Sequence, residues 1–220
     1  MIPPKADAEF VANMEAVLDT YAMPYDPTHP VVCMDEQPVQ LLTETLVPIP
    51  ATKEHPRRVD YEYERAGVAS LFLFCEPLAG WCRVTARVRR TKVDRAVEVA
   101  ALMTGRYAAA EKVILVCDNL NTHTLGAFYE AFDPATARAL VRRLEIRHTP
   151  KHGSWLNMAE IELSVLSRQC LARRIESREE LEREVAEWEQ QRNEQGDKIR
   201  WQFTTADARI KLRRLYPTTQ

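Results

Sequence analysis

Apolar and polar positions along the chain fall into two rhythms. Phe10, Val11, Met14, Val17, Leu18 and Tyr21 recur at helical spacing, with acidic residues between them, and Pro24, Pro27 and Pro30 close that pattern. Val31-Val32-Cys33-Met34-Asp35 is a continuous apolar run ending on a carboxylate, and Lys112-Val113-Ile114-Leu115-Val116-Cys117-Asp118-Asn119 repeats that grammar. Such runs read as strands buried on both faces, so each aspartate is expected at or near a strand end. The stretch after Asp35 reads as loop, rich in proline (Pro38, Pro48, Pro50, Pro56) and ending on Arg57-Arg58. Val68 to Phe74 and Arg83 to Arg89 read as two strands of a hairpin joined through Glu76-Pro77-Leu78-Ala79-Gly80. In the second strand Val84, Ala86 and Val88 alternate with Arg83, Thr85, Arg87 and Arg89, giving one apolar and one basic face.

Helices follow over Thr91–Ala110, with Thr91 and Asp94 at capping-box spacing, and over Pro134–Leu144, with Arg138, Arg142 and Arg143 on its solvent side. Leu144–His148 is a short strand. After the basic loop Lys151-His152-Gly153 comes a helix with Asn157 at its N-cap and Ala159, Leu163, Leu166 and Cys170 as its apolar stripe. Ser177–Arg192 and Ala206–Leu215 are the last helices. The order is a strand meander followed by β-α-β-α-β-α, which predicts an α/β fold: a mixed five-stranded sheet with helices on both faces. Residues 1–30 are expected to form a linker and N-terminal helix, 31–175 the core, and 176–220 a helical extension packed on it.

Composition narrows the function classes. With 45% hydrophobic and 28% charged residues the chain is globular. Its net charge of −2 supplies no bulk pull toward nucleic acid, so any such binding rests on local basic patches. Cys33, Cys75, Cys82, Cys117 and Cys170 are scattered without a C-x-x-C pair, which points to reduced core thiols in a cytoplasmic protein and no zinc site. No run is long and apolar enough to span a membrane, and no signal peptide is visible.

Three carboxylates stand where chemistry is possible. Asp35 and Asp118 close strands, and Glu160 lies in the first turn of a helix after a third strand. Strand ends of open α/β sheets are where ligands bind. Three converging carboxylates need a cation to stay ionised, and hard divalent ions take such oxygen ligands. Two ions about 3.5–4 Å apart could clamp an in-line phosphoryl displacement. The plain alternatives are turn aspartates, and a glutamate that completes an Asn157/Glu160 capping box. Glu162 lies about 200° further around the helix than Glu160, so only one of the two can face a shared site.

Strand-Asp35, strand-Asp118-Asn119-x-x-x-His123 and Ser154-Trp155-Leu156-Asn157-Met158-Ala159-Glu160 resemble the DDE catalytic domain of bacterial insertion-sequence transposases of the mariner-like superfamily. Trp201-x-Phe203-Thr204-Thr205-x-Asp207-Ala208-Arg209 adds to the likeness, which covers nearly the whole chain. That resemblance implies an RNase H-like fold, two Mg²⁺ ions (Mn²⁺ substituting), and DNA strand cleavage followed by 3′-OH transfer. It implies Asp35, Asp118 and Glu160 as ligands, with Asp35 bridging the ions, and Asn119, His123 and Asn157 in support. The chain departs from the family's Leu-Asn-Pro-Ile-Glu at Met158-Ala159, and the Asp118-to-Glu160 gap of 42 positions (160 − 118) is long, which leaves Glu162 as a fallback ligand.

Lys151, His152 and Trp155, with Arg57 and Arg58, are expected DNA contacts; the loop tryptophan could equally be an anchor. Arg87, Arg89-Arg90, Arg173-Arg174 and Arg213-Arg214 are further candidates for phosphate contact. The implied partners are double-stranded DNA, a second copy in a homodimer, and an upstream helix-turn-helix frame. No such module is visible before Asp35, so the chain is expected to be a split-frame product, truncated copy or excised domain that binds DNA weakly by itself. Rival readings are a catalytically silent remnant, which need not bind Mg²⁺, and another RNase H-like nuclease, which would not join a 3′-OH to a new strand.

Overall fold

The computed structural model describes residues 7–56, 60–119 and 124–217. Five strands, β1 (Val31–Glu44), β2 (Tyr63–Glu76), β3 (Trp81–Arg87), β4 (Val113–Cys117) and β5 (Leu144–His148), form one sheet in the order β3-β2-β1-β4-β5. β1, β2 and β3 are an antiparallel meander, while β4 and β5 run parallel to β1 and to each other. Helices α2 (Lys92–Thr104), α3 (Gly126–Ala131) and α4 (Pro134–Arg143) belong to one layer. Their apolar side chains bury Val32, Met34, Phe72, Phe74, Leu115 and Cys117. Helices α1 (Ala8–Tyr21), α5 (Ala159–Gln169) and α6 (Arg178–Gln195) cover the other face, over Cys33, Leu71, Leu73, Cys75 and Val116, and α7 (Thr205–Lys211) joins them through Ala208.

The expected mixed sheet with helices on both faces is therefore present, with corrections in its parts. β1 does not end near Asp35 but continues to Glu44, paired with β2 throughout. β4 accompanies it only as far as Cys33↔Val116, so beyond that point β1 is an edge strand on one side. An edge tolerates Pro38, whose missing N–H would break a ladder in a central strand. That proline, with those after it, is why the segment reads as loop. The thirteen-residue α2 ends at Thr104, short of Ala110, and the six-residue α3 was not expected. Arg143 is not turned to solvent: it donates to the carbonyls of Tyr107, Ala108 and Ala110, which follow α2.

The helices begin where the chain supplies caps. Thr91 and Asp94 form the expected capping box, and Ser177 accepts from the Glu180 N–H. α1 packs on the sheet, with Met14 and Val17 fully buried. α6 closes the β3 edge: Asn193 exchanges two hydrogen bonds with the Cys82 backbone (2.7 and 2.8 Å), and Glu189 accepts from the Val84 N–H (2.7 Å). Those bonds occupy edge groups that otherwise invite pairing with another chain. All five cysteines are free and buried.

Candidate active site

The register of β1 and β4 places the two aspartates. Cys33 is level with Val116, and two residues further on along each parallel strand come Asp35 and Asp118. Side chains alternate between faces, so Asp35 shares the side of Cys33 and Asp118 that of Val116, the side covered by α1, α5 and α6. Asp118 lies just past the end of β4, and Asp35 lies just where β1 loses that neighbour. The notch between them opens toward the start of α5.

The side chains of Asn157 and Tyr21 fix the start of α5 at that notch, and Thr149 holds Asp118. Asn157, almost fully buried, donates from Nδ2 to the Met34 carbonyl at 2.8 Å, and its Oδ1 accepts from the Ala159 N–H at 3.2 Å. The Tyr21 hydroxyl of α1 donates to the Leu156 carbonyl (2.8 Å) and takes a longer bond from the Met158 N–H (3.4 Å). Thr149 donates from Oγ1 to Asp118 Oδ1 at 3.3 Å, while its N–H bonds the Cys117 carbonyl. One side chain, Asn157, thus ties the residue before Asp35 to the turn that carries Glu160.

The capping-box reading of Asn157 and Glu160 does not hold. The Asn157 N–H is bonded to the Ser154 carbonyl, and α5 starts at Ala159 with Met158 at its N-cap position. Glu160 is exposed, and among the described residues its carboxylate has no hydrogen bond or ion pair. Glu162 is fully engaged elsewhere. It is buried and receives two bonds from the Arg192 guanidinium of α6, 3.0 and 2.9 Å long. Drawing Glu162 into the site would strand the Arg192 guanidinium.

The electrostatics show convergence. Burial pushes the Asp35 carboxyl up to about 7, a bond from the Glu36 N–H (2.7 Å) opposes this, and the charges of Asp118 and Glu160 add to the rise. Asp35 therefore sits within Coulombic reach of both other carboxylates. Such a group holds its proton near neutrality unless a cation arrives. The donor set is all oxygen, which fits magnesium or manganese rather than a thiophilic ion. Among the described residues no three His, Cys, Asp or Glu side chains are already gathered around one point.

The remaining expected residues divide. Lys151 and His152 are exposed on the turn before α5, and His152 has a positive φ of 66°. Gly153 follows because a Cβ there would come within 2.5 Å of Pro150 Cγ. Trp155 is not an open stacking platform: its ring packs on Phe203 (centroids 6.1 Å), and its indole N–H is buried. It is the anchoring tryptophan. Asn119 is exposed beside Asp118. Arg57, Arg58 and His123 lie outside the described residues. Arg87 pairs with Glu98, Arg173 with Glu180 and Glu184, and Arg174 with Glu44, so each is engaged in an ion pair within the chain. Arg89, Arg90, Arg213 and Arg214 are exposed. Sequence reasoning missed Tyr21 and Thr149, which read as core and loop residues and carry no motif of their own.

A family model described as "DDE superfamily endonuclease" matches residues 30–182, from just before β1 into α6. The chain belongs to the DDE superfamily of endonucleases. Among curated proteins no sequence matches it. Among solved structures it is similar to the catalytic domain of Mos1 mariner transposase, at 16% identity and a TM-score of 0.54, covering 86% of this chain and 84% of that one. It is similar also to Mos1 in its paired-end complex with Mn (16%, TM-score 0.57, covering 87% of this chain and 58% of that one). The paired-end complex with Mg gives 15% and 0.57, covering 89% of this chain and 59% of that one. The chain spans somewhat more than half the length of Mos1 in those complexes. At such identity the likeness establishes the fold, which is RNase H-like. This DDE chain also has no described helix long and apolar enough to cross a membrane.

Proposed function

We propose that this chain is the catalytic domain of a DDE transposase, cutting DNA strands and joining the freed 3′-OH to a second DNA site. The observation that carries the reading is the equal register of Asp35 and Asp118 on parallel neighbours, with Asn157 fastening the Glu160 turn beside them. Asp35, within Coulombic reach of both other carboxylates, would be the first ligand of the ions. Asp118, steadied by Thr149, is the second ligand, and Glu160 the third, brought in by side-chain rotation from its exposed position. Magnesium or manganese held there supplies activation of the attacking water or 3′-hydroxyl and charge neutralisation at the departing oxygen.

The chain's own residues do the rest. Asp35 would hold an ion as the carboxylate, Asn157 and Tyr21 keep the α5 turn in place, and Lys151 and His152 receive the backbone phosphates beside the site. Asn119, next to Asp118, supports the same edge. The partner is double-stranded DNA, engaged by a homodimer in the bacterial cytoplasm, with end recognition supplied by a helix-turn-helix module outside this sequence. Residues 31–175 form the catalytic core in this reading, flanked by the N-terminal helix and the C-terminal helices.

The test is nicking of supercoiled plasmid in Mg²⁺ or Mn²⁺. Wild-type chain should nick and Asp118→Asn should not, with chelator abolishing the reaction. Undiminished nicking by Asp118→Asn at native fold would remove its assigned role. Joining of a labelled 3′-OH oligonucleotide to plasmid separates a transposase from a simple nuclease.

A further inference from the structure

The segment between α6 and α7, residues 197–204, has no part in the proposed reaction and lies past the residues that the family model matches. It is neither helix nor strand, yet its side chains alternate as in an extended chain. Lys198, Arg200 and Gln202 are exposed, while Ile199, Trp201 and Phe203 turn in against the core. Both ends are tied down. The Ile199 N–H donates to the Pro77 carbonyl at 2.9 Å, and Asp197 accepts from Arg192 of α6 at 2.5 Å. At the other end Thr205 donates to Asp19 of α1 at 2.7 Å, and Arg209 of α7 holds Glu15 of α1 through bonds of 2.9 and 3.0 Å.

The two inward aromatics meet the chain just ahead of Glu160. Trp201 packs on the Tyr21 ring (centroids 5.5 Å, planes 52° apart), and Phe203 packs on Trp155 (6.1 Å, 63°). Tyr21 in turn holds the Leu156 carbonyl and the Met158 N–H, and Trp155 belongs to the short turn Ser154–Leu156 that precedes them. The first turn of α5 needs such bracing, because Met158 at its N-cap position supplies no side-chain bond to the open N–H groups. The indole N–H groups of Trp201 and Trp155 are buried without a partner among the described residues, so these rings serve by packing. An unmet buried donor costs stability, and phenylalanine at position 201 would avoid that cost.

We propose that Trp201 and Phe203 are positioning residues for Glu160: the strap 197–204 holds the α5 turn through Tyr21 and Trp155, and so sets how tightly the three carboxylates take up a divalent ion. This inference rests on the reading of Asp35, Asp118 and Glu160 as the ion site. Asp35 stands within a strand ladder and Asp118 just past the end of one, whereas Glu160 depends on a helix start held by side chains from elsewhere. Loss of the strap's rings should therefore remove the contribution of Glu160 and leave those of Asp35 and Asp118 in place.

The test is a double-mutant cycle on the full chain titrated with Mn²⁺ alone, the free ion being read by electron paramagnetic resonance. Trp201→Ala should weaken Mn²⁺ uptake about 10–100-fold, the usual cost of losing a residue that orients a metal ligand, and Phe203→Ala should act in the same direction. In a Glu160→Gln background Trp201→Ala should cause no further loss, since the ligand it positions is already gone. Trp201→Phe, which keeps the ring, should restore wild-type uptake. An equal loss from Trp201→Ala in both backgrounds means general loosening and overturns the proposal, as does wild-type uptake by a natively folded Trp201→Ala. Should Trp201→Ala not fold by circular dichroism, Trp201→Leu and Phe203→Leu, which keep apolar bulk without a ring, take its place in the same cycle with the same outcomes. Asp35→Asn, Asp118→Asn and Glu160→Gln must each weaken uptake by themselves. If they do not, the site reading is wrong and this inference falls with it; if they do and the strap variants bind like wild type, only this inference fails.

Discussion

Replacing Asn157 with alanine tests whether the α5 turn is held to the sheet as the geometry says. The side chain is about 1% exposed and makes two hydrogen bonds, one to the Met34 carbonyl and one from the Ala159 N–H. Each neutral bond contributes about 1 kcal/mol net, and a buried group left unsatisfied costs about 1–3 kcal/mol. Met34 is fully buried, so water cannot readily replace the lost donor at its carbonyl. The Ala159 N–H belongs to the first turn of a helix and adds the smaller share. The loss should total about 2–4 kcal/mol, read as a lower urea midpoint with an unchanged slope. Asn157→Asp is the sharper variant, since it keeps the acceptor for Ala159 but cannot donate to Met34, and it should be at least as damaging. Nicking should fall along with stability, because the same side chain sets Glu160 relative to Asp35. A loss under about 0.5 kcal/mol, the range of an ordinary surface substitution, would show that the bond does not fasten the site.

Three further outcomes follow from the same geometry. Glu160→Gln should abolish nicking with little change in stability, whereas Glu162→Gln should destabilise by about 3–5 kcal/mol by leaving Arg192 without its charge partner; the reverse assignment by paired nicking and urea assays would restore Glu162 as the ligand. Asp35, pushed up to about 7, binds a proton in the folded state that the unfolded chain gives up near pH 4. Metal-free protein should therefore lose up to about 3 kcal/mol of stability as pH rises from 4 to 7. Asp35→Asn should flatten that slope, and urea midpoints across this range decide it. Lys151→Ala should weaken DNA binding evenly across sequences and lower the slope of log affinity against log salt by about one, measured by anisotropy with a labelled duplex; an unchanged slope removes it from the interface.

The apolar runs ending on Asp35 and Asp118 were legible because a strand buried on both faces must be apolar throughout, whatever else the chain does. The Thr91/Asp94 box was legible for a similar reason, since its chemistry is complete within four residues. Asn157 shows where that local logic stops. Its spacing to Glu160 matches a capping box, yet its side chain spends its donor on Met34, a partner 123 positions away. Tyr21 was hidden in the same way: it sits within an ordinary helical pattern, and only tertiary packing brings it to the Leu156 carbonyl. Glu162 was ambiguous for as long as its partner Arg192, on another helix, could not be placed.

The extra length of β1 ties these points together. Had the strand ended at Asp35, the two aspartates would stand on ragged loops, with no rigid floor beneath them. Because β1 continues to Glu44 along β2 while β4 stops at Cys117, the sheet steps down at one place only along β1. At that step Asp35 stays paired with Leu73 of β2 while its other flank has no strand partner, and burial there pushes its carboxyl up to about 7. The proline that made this segment look like loop is permitted by the same step, since Pro38 lies where β4 no longer needs an N–H. One geometric feature, a parallel neighbour whose pairing stops two residues before Asp35, thus accounts for both the misread strand and the place of its carboxylate.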